Sequence, residues 1–257
     1  RVIGEPGTRY AEDPVRIWRV LRHASRLRFE IDGPTADAIP SHAGLLSTCP
    51  GARLYEELNK DLLLETGPVF DALRKYGLLR TILGRPGEMY EEDGPLYARL
   101  RELLLLADQA KAAGEDLSLE DMYALVFWPW LEPLCGEFHP DLIKVLGDAM
   151  LEAGMKTAIP RTMRANVVQI LSLVGQMRRA LRTGRWRHSL ERRSHYGPAA
   201  RLFILIDQGR FPEEGESFGL QLARAFPGGP RPEKRRRRRR RKNRLPPEGF
   251  SGPSPSS

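Results

Sequence analysis

The sequence predicts an all-α fold made of many helices and followed by a disordered basic tail. Apolar residues recur at spacings of three to four through most of the first 208 residues, which is the period of a helix with one buried face. No segment alternates apolar and polar residues as a half-buried strand does. From residue 227 the chain consists mainly of Pro, Gly, Arg and Ser, and such a composition buries too little apolar surface to fold.

The first predicted helix begins at Pro14. Proline suits the first helical turn, and Asp13 just before it is a good N-cap. Apolar residues at helical spacing follow as far as Leu27, beside a basic ridge formed by Arg16, Arg19, Arg22 and Arg26. Taken alone, this segment indicates a capped amphipathic helix with a solvated basic face.

Helical periodicity and capping signals continue along the chain. Further helices are predicted over residues 35–46, 52–64, 68–79, 96–113, 141–153, 160–183 and 198–207, and another begins at residue 118. Thr35 is a candidate cap for the first of these helices. Ser118 and Asp121 have the spacing of a capping box, and Pro129 in the same helix predicts a kink or a break.

Two local patterns have a structural interpretation rather than a functional one. Residues 84–87, with two glycines and a proline, predict a loop, and the acidic residues 91–93 are interpreted as a loop and not as a metal site. The aromatic cluster of the most apolar helix is assigned to the core and not to a base-stacking platform; it consists of Phe127, Trp128 and Trp130.

The charge of the chain is concentrated in its last residues. The chain of 257 residues has a net charge of +8, but residues 231–257 alone carry eleven basic and two acidic residues, so that the rest is close to neutral. No apolar run is long enough to span a membrane. Cys49 and Cys135 lie far apart without a C-x-x-C pair or clustered histidines, which argues against a disulfide scaffold or a zinc site and favours a reducing cytoplasm.

Two motifs give the chain a resemblance to a known family. The first is Arg1-Val2-Ile3-Gly4-x-Pro6-x-x-Arg9-Tyr10-x-Glu12-Asp13-Pro14-Val15-Arg16-x-x-Arg19, and the second is Pro50-x-Ala52-Arg53-Leu54-x-Glu56-Glu57-x-x-Lys60. In this combination and at this spacing they resemble the class II nucleotidyltransferases, which comprise the bacterial poly(A) polymerases and the CCA-adding tRNA nucleotidyltransferases. In that family the first motif links the catalytic head to a helical neck, and the second lies on the following neck helix.

The resemblance implies an elongated, multi-helix architecture. It predicts a neck with a base-recognition helix at residues 1–80, an RNA-binding helical body at 81–226 and a disordered polybasic tail at 227–257. The poly(A) polymerase branch is favoured by the polybasic C-terminus, by the Arg-rich end of the 160–183 helix and by the stretches Phe127-Trp128-Pro129 and Ala158-Ile159-Pro160. The sequence departs from the family at Ile17-Trp18 and His23-Ala24-Ser25, which are interpreted as repacked core or neck surface.

By this resemblance, Asp13 and Arg16 match the pair that reads the incoming nucleotide base. They lie one helical turn apart, so both can point to one side. A carboxylate accepts from the exocyclic amine of adenine, and a guanidinium donates to the adjacent ring nitrogen. Guanine and uracil present a carbonyl instead of the amine, whereas cytosine presents the same pattern as adenine. The pair therefore selects A or C and does not separate poly(A) addition from CCA addition.

The same resemblance assigns supporting roles around this pair. Asp13 is either a helix cap or a base reader, and the resemblance favours the reader. Arg9, Glu12 and Arg19 match positions that support the pocket. The second motif contributes Arg53, Glu56 and Glu57, of which Arg53 and one of the two glutamates are expected to brace the neck rather than touch the substrate.

Catalysis in this family needs a Gly-Ser turn and an Asp-x-Asp pair that holds two Mg²⁺ ions. The sequence contains neither. The resemblance therefore implies that no catalytic residue and no bound metal belong to this chain, that Mg²⁺ binds in a missing head, and that the chain alone is inactive. Because the chain starts at Arg1 and not at Met, it is interpreted as a fragment that lacks the head.

Two arginine-rich segments are candidates for binding RNA. The first consists of Arg178, Arg179, Arg182 and Arg185, which are either an RNA surface or a helix C-terminus with favourable cations. The second lies in the tail and consists of Lys234, Arg235, Arg236, Arg237, Arg238, Arg239, Arg240, Arg241, Lys242 and Arg244. Its charge density favours sequence-blind contacts with RNA phosphates over a merely solvated tail.

The resulting hypothesis is part of a poly(A) polymerase, which adds AMP from its substrate ATP to the 3′ ends of mRNA or small RNA in the bacterial cytoplasm. A CCA-adding enzyme acting on tRNA is the alternative within the same class. A headless RNA-binding adaptor, complete as it stands, is the alternative from another class. Neither a membrane nor DNA is expected as a partner.

Overall fold

The computed structural model describes residues 3–137, 139–183 and 189–209, and every regular element in these ranges is helical. The α-helices are α1 (Pro6–Glu12), α2 (Val15–Leu27), α3 (Gly33–His42), α4 (Gly51–Leu62), α5 (Gly67–Lys75), α6 (Leu79–Leu83), α7 (Arg85–Glu92), α8 (Gly94–Ala112), α9 (Leu119–Gly136), α10 (Leu142–Glu152), α11 (Arg161–Thr183) and α12 (Tyr196–Gln208). Short 3-10 helices occupy Ala43–Thr48 and Leu190–Arg192. The predicted all-α fold is confirmed, and the predicted tail lies outside the described residues.

The N-terminal helices differ from the sequence prediction in one respect that concerns the site. A separate helix, α1, precedes Asp13 and is capped by Glu5, whose carboxylate accepts from the backbone amides of Gly7 and Thr8. Asp13 ends α1, and Pro14 occupies the N-cap position of α2 without a side-chain capping bond. The predicted role of Asp13 as N-cap of the helix that follows it is therefore wrong, and its carboxylate is available for other contacts.

Three further local predictions are wrong, and close packing explains the one at residues 84–87. The predicted loop at residues 84–87 starts helix α7, with Pro86 in its first turn, and residues 91 and 92 end that helix. Gly84 has a φ of +66°, and a Cβ there would lie 2.1 Å from the carbonyl oxygen of Ala153, so a glycine is required. Thr35 lies buried inside α3 and is not its cap.

Helix α9 forms the centre of the core. Its capping box between Ser118 and Asp121 is confirmed, but the helix continues through Pro129 and Pro133 without the predicted break. The hydroxyl of Tyr90 donates to the carbonyl of Val126 at 2.6 Å, and α4, α8, α11 and α12 all pack against this helix. Its aromatic cluster is core, as predicted; Phe127 and Trp128 are fully buried and Trp130 is partly buried.

The N-terminal helices pack against one another and onto this core. Helix α2 lies against α4 and α5, and α4 in turn contacts α9. Helix α6 spans the predicted boundary between neck and body at residue 80, so no loop marks that boundary. The division into neck and body stays a prediction.

Candidate functional site

The Asp13 site lies where the α1–α2 junction meets the first turn of α4. Asp13 stands between two helices, and its side chain is 19% exposed. Its Oδ2 atom accepts a hydrogen bond from Nη2 of Arg53 at 2.8 Å and lies 3.8 Å from Nε of Arg16. The structure therefore brings together Asp13 and Arg16, the predicted base-reading pair, with Arg53 as a second cation.

The other carboxylate oxygen of Asp13, Oδ1, has unused hydrogen-bonding capacity. It is buried and has no hydrogen-bond partner among the described residues. A buried acceptor without a donor is unfavourable, because it has lost its hydration without compensation. Arg16 and Arg53 are each about one-third to two-fifths exposed, so their guanidinium groups can also reach a ligand. Chemically, the site can accept one N–H group and donate several.

The remaining residues of the two motifs lie in different surroundings. Arg9 and Glu12 pair with each other on the exposed side of α1 at 2.7 Å. Glu56 is exposed on α4. Arg19 donates to Glu57 at 2.8 Å and does not contact Asp13. Their predicted support of a nucleotide pocket stays a prediction, and so does the bracing role of the second motif, of which Arg53 and Glu57 each bond to a residue outside α4.

A buried charge network joins α2 to α4 beside the site. Glu57, which is 1% exposed, binds Arg19, Arg22 and Lys60, and Arg22 also binds Asp61. Asp61 is fully buried and accepts from the indole Nε1 of Trp18 at 2.5 Å. The ridge of α2 is therefore not solvated throughout as the sequence indicated, because Arg22 is only 4% exposed. This arrangement fixes α2, and with it Arg16, relative to α4.

The protonation behaviour of this network follows from burial and hydrogen bonding. Burial raises the pKa of Glu57, but the hydrogen bonds from Arg19, Arg22 and Lys60 outweigh it and lower the pKa to about 2. Burial raises the pKa of Asp61, and hydrogen bonds from Arg22 and Trp18 offset only part of this increase. Burial lowers the pKa of Arg22, but Asp61 and Glu57 overcome this effect and raise it. Glu57 and Arg22 are therefore charged at neutral pH.

The predicted RNA-binding arginines of α11 are engaged with the end of α9. Arg178 pairs with Glu132 and lies over the ring of Trp128, with its Cζ atom 5.5 Å from the ring centroid. Arg179 and Arg182 donate to the backbone carbonyls of Glu137 and Gly136 at 2.5 and 2.9 Å. They thus satisfy carbonyls at a helix C-terminus, although that helix is α9 and not their own.

The remaining predicted RNA-binding residues are Arg185 and those of the tail, and they lie outside the described residues. Residues 210–226 of the predicted body lie outside them as well. Within the described ranges, no group of three or more His, Cys, Asp or Glu residues is placed to hold a metal ion. Cys49 and Cys135 are both buried and free. No helix in this part of the chain is both long and apolar enough to cross a membrane.

Sequence reasoning missed the pairing of Arg22 with Asp61. The signal was present as complementary spacing: Arg19, Arg22 and Arg26 recur every three to four residues on one helix, and Glu57 and Asp61 lie four apart on another. Recognising it requires knowing that these two helices pack face to face. The spacing alone is equally typical of a solvated surface.

Comparisons with known proteins place the chain in a class. A family profile described as "Probable RNA and SrmB- binding site of polymerase A" matches residues 28–87. The poly(A) polymerase I of Escherichia coli O6:H1 is 31% identical over 198 residues, which is 72% of this chain and 42% of that protein. The poly(A) polymerase I of Haemophilus influenzae is 31% identical over 133 residues, covering 50% of this chain and 29% of the relative.

A CC-adding tRNA nucleotidyltransferase of Geobacter sulfurreducens matches a shorter stretch, with 49% identity over 49 residues, 19% of this chain and 11% of that enzyme. These relatives are all nucleotidyltransferases. Within that class the chain is related to the bacterial poly(A) polymerases, which confirms the resemblance found in the sequence. The chain spans 42% of the length of the curated relative from Escherichia coli.

Proposed function

We propose that this chain is the base-selecting and RNA-binding part of a polynucleotide adenylyltransferase, which adds AMP from ATP to RNA 3′ ends in the bacterial cytoplasm. Its match to poly(A) polymerase I over 72% of the chain supports this function. The observation that carries it is the Asp13 site, where a carboxylate held by Arg53 keeps one oxygen free beside Arg16.

In this proposal, the free Oδ1 atom of Asp13 accepts the exocyclic amine of adenine, and the guanidinium of Arg16 donates to the neighbouring ring nitrogen. GTP and UTP place a carbonyl opposite Asp13, so their binding brings two acceptors together. A site built around such hydrogen bonds discriminates strongly, because the wrong ligand leaves buried polar groups unpaired. Arg53 positions the carboxylate through its bond to Oδ2.

The catalytic step belongs to a head domain outside these 257 residues. The Asp-x-Asp pair that holds Mg²⁺ in this family does not occur in the sequence, and the proposal therefore places the ion in the head. In this proposal the chain selects the nucleotide and binds the RNA, and it has no transferase activity alone. The coding sequence upstream of Arg1 tests this directly: an in-frame Gly-Ser and Asp-x-Asp segment is expected, and a stop codon followed by a start contradicts it.

CCA addition to tRNA is the second candidate, since the Asp13 site accepts cytosine as well as adenine. The match to CC-adding and CCA-adding enzymes favours it, but it covers a smaller part of the chain. Incubating the complete gene product with each nucleotide distinguishes the two. Long A tails on unstructured RNA are expected, whereas addition that stops after CCA on tRNA indicates the second function.

The basic tail contributes sequence-blind contacts with RNA phosphates in this proposal. Deletion of residues 227–257 is expected to weaken RNA binding and to reduce its dependence on salt, because fewer counterions are released. Titration of labelled RNA at several salt concentrations measures both quantities. An unchanged salt slope contradicts a role for the tail.

A further inference from the structure

The loop between α10 and α11 lies beside the Asp13 site. The backbone amide of Ala158 donates to the carbonyl of Gly51 at 3.0 Å, and a Cβ on Gly51 would lie 2.5 Å from the carbonyl oxygen of Lys156. Gly51 opens α4, two residues before Arg53, which holds Asp13. The loop therefore packs against the same first turn of α4 that carries Arg53.

A groove runs from this loop along the body. One hollow of about 310 Å³ is lined by residues of the loop, and a second of about 490 Å³ lies between α10 and α11. They share Met150, Leu151 and Arg164, so they form one depression, called here the α10–α11 groove. The hollow between α10 and α11 has largely apolar walls, whereas the hollow at the loop has mixed walls, and Leu151 in both is 64% exposed.

Two cations without partners, Arg161 and Arg164, line this groove, and a third, Lys156, is exposed on the loop between two lining residues. Within the described ranges, the side chains of Lys156, Arg161 and Arg164 form no ion pair and no hydrogen bond. The arginines around the Asp13 site and in the α2–α4 network are, by contrast, bonded to carboxylates. The exposed carboxylates of α10, Asp148 and Glu152, do not line the groove. The charged side chains that line the groove are therefore Arg161 and Arg164, both positive.

We propose that the α10–α11 groove binds the last nucleotides of a single-stranded RNA and delivers its 3′ end toward the Asp13 site. Lys156, Arg161 and Arg164 contact the phosphates, since guanidinium groups pair well with phosphate oxygens. The apolar walls accept base faces, which is the usual combination in sequence-tolerant binding of single strands. This proposal rests on the proposed function, and it adds a second RNA-contacting surface to the arginines predicted at the end of α11.

A protein segment is the other class of occupant for an apolar groove. The unpaired cations at the rim favour a polyanion, because an apolar peptide would leave all three without compensation. The position of the loop against Gly51 favours the same choice, since the groove and the Asp13 site then serve one substrate. The groove also explains why the cations of residues 156–164 are unpaired while those of α2 are not.

The first test measures binding of a 5′-labelled oligoadenylate of twelve nucleotides to the full chain by fluorescence anisotropy. The triple variant Lys156→Gln, Arg161→Gln and Arg164→Gln is expected to bind about tenfold more weakly at 0.15 M salt, with a salt slope smaller by about two. The matched control removes three exposed charges elsewhere, through Lys144→Gln, Arg192→Gln and Arg193→Gln, and is expected to stay within about twofold of the wild type. Equal affinities of the two triple variants overturn the proposal.

A second measurement locates the RNA without depending on variants. An oligonucleotide with 4-thiouridine next to its 3′ end is crosslinked to the full chain, and the modified peptide is identified by mass spectrometry. Crosslinks within residues 143–168 are expected. Crosslinks confined to other parts of the chain overturn the proposal. Leu151→Glu is then examined by light scattering: if it abolishes self-association and leaves RNA affinity unchanged, the groove is a contact between copies and the proposal fails.

These outcomes are separable from failure of the proposed function. If ATP is still selected over GTP through Asp13 but the groove variant binds RNA normally, only the groove is refuted. If nucleotide selection does not depend on Asp13 while the groove variant binds RNA more weakly, the groove proposal is supported and the base-reading proposal is refuted.

Discussion

Two carboxylate sites lie where the segment around α2 meets α4, and they differ in how completely they are satisfied. Glu57 and Asp61 are buried and surrounded by Arg22, Arg19 and Trp18 as donors. Asp13 has donors on one side only, and its Oδ1 atom is left without one. The first site is closed by the protein's own groups and acts as a brace. The second keeps a buried oxygen without a donor beside two partly exposed cations, and the proposed base site depends on this arrangement.

The difference shows that residue type alone does not separate a structural ion pair from a binding site. Both sites combine arginine with a carboxylate across the same helices. Burial and the number of internal donors distinguish them, since a saturated carboxylate has nothing to offer a ligand. Each prediction below tests one side of this contrast.

The largest effect on stability is expected from removing a buried acceptor from the Glu57–Asp61 site. Asp61→Ala leaves the Nε atom of the buried Arg22 guanidinium and the indole N–H of Trp18 without their acceptor, so the free energy of unfolding should fall by about 3–5 kcal/mol. Urea denaturation followed by circular dichroism measures it. Asp13→Ala is the matched control and should lose at most about 1 kcal/mol, as is typical of partly exposed ion pairs. Equal losses at the two positions would remove the distinction.

The pH dependence of the free energy of unfolding should reflect the ionisation of Glu57. Its folded pKa of about 2 lies below its ordinary value near 4.5, so its charged form stabilises the fold above pH 4.5, and this stabilisation is lost as the pH falls toward 2. Glu57→Gln should be less stable than the wild type at pH 7, with a difference that shrinks steadily below pH 4.5. Urea midpoints at pH 7, 5, 4 and 3 measure it. A constant difference across this range argues against a charged Glu57.

The exposed neighbour Glu56 supplies the control for that series. Glu56→Gln changes the same charge by the same chemistry on the same helix, but its side chain is exposed. Its stability should follow the wild-type curve throughout.

A smaller effect on stability is expected where the loop between α10 and α11 packs against the start of α4, near Arg53 of the Asp13 site. Gly51→Ala places a methyl group 2.5 Å from the backbone oxygen of Lys156, which has little freedom to move, so about 1–3 kcal/mol of stability should be lost. Gly44→Ala, with no atom within 4 Å of the new methyl group, is the control and should lose less than about 0.5 kcal/mol. Thermal unfolding of both variants measures this difference, and equal melting temperatures would show that the loop contact is loose.

Most of the helices could be predicted from the sequence, because apolar periodicity is a local property. Helices α1, α6 and α7 were not predicted, and residues 84–87 at the start of α7 were interpreted as a loop because of their Gly and Pro residues. A Cβ on Gly87 would lie 1.9 Å from the carbonyl of Leu79, so this glycine serves the close packing of α6 and α7 rather than a loop. Such packing is not visible in a linear pattern.

The candidate site was accessible from sequence only in part. The pair Asp13 and Arg16 came from the motif resemblance, and the structure adds Arg53 as the group that holds Asp13. Saturation of Glu57 and the engagement of Arg182 with Gly136 depend on how helices pack over long sequence separations. Charge runs in a sequence do not tell which cations are already paired.

The central claim is that the free oxygen of Asp13 reads the nucleotide base. The most direct measurement is the ratio of kcat/KM for ATP and GTP in the complete, head-containing gene product, compared between wild type and Asp13→Ala. Loss of one discriminating contact should lower the ratio by about tenfold or more, with little change in stability. A variant that is slower but keeps the wild-type ratio would contradict base reading at Asp13.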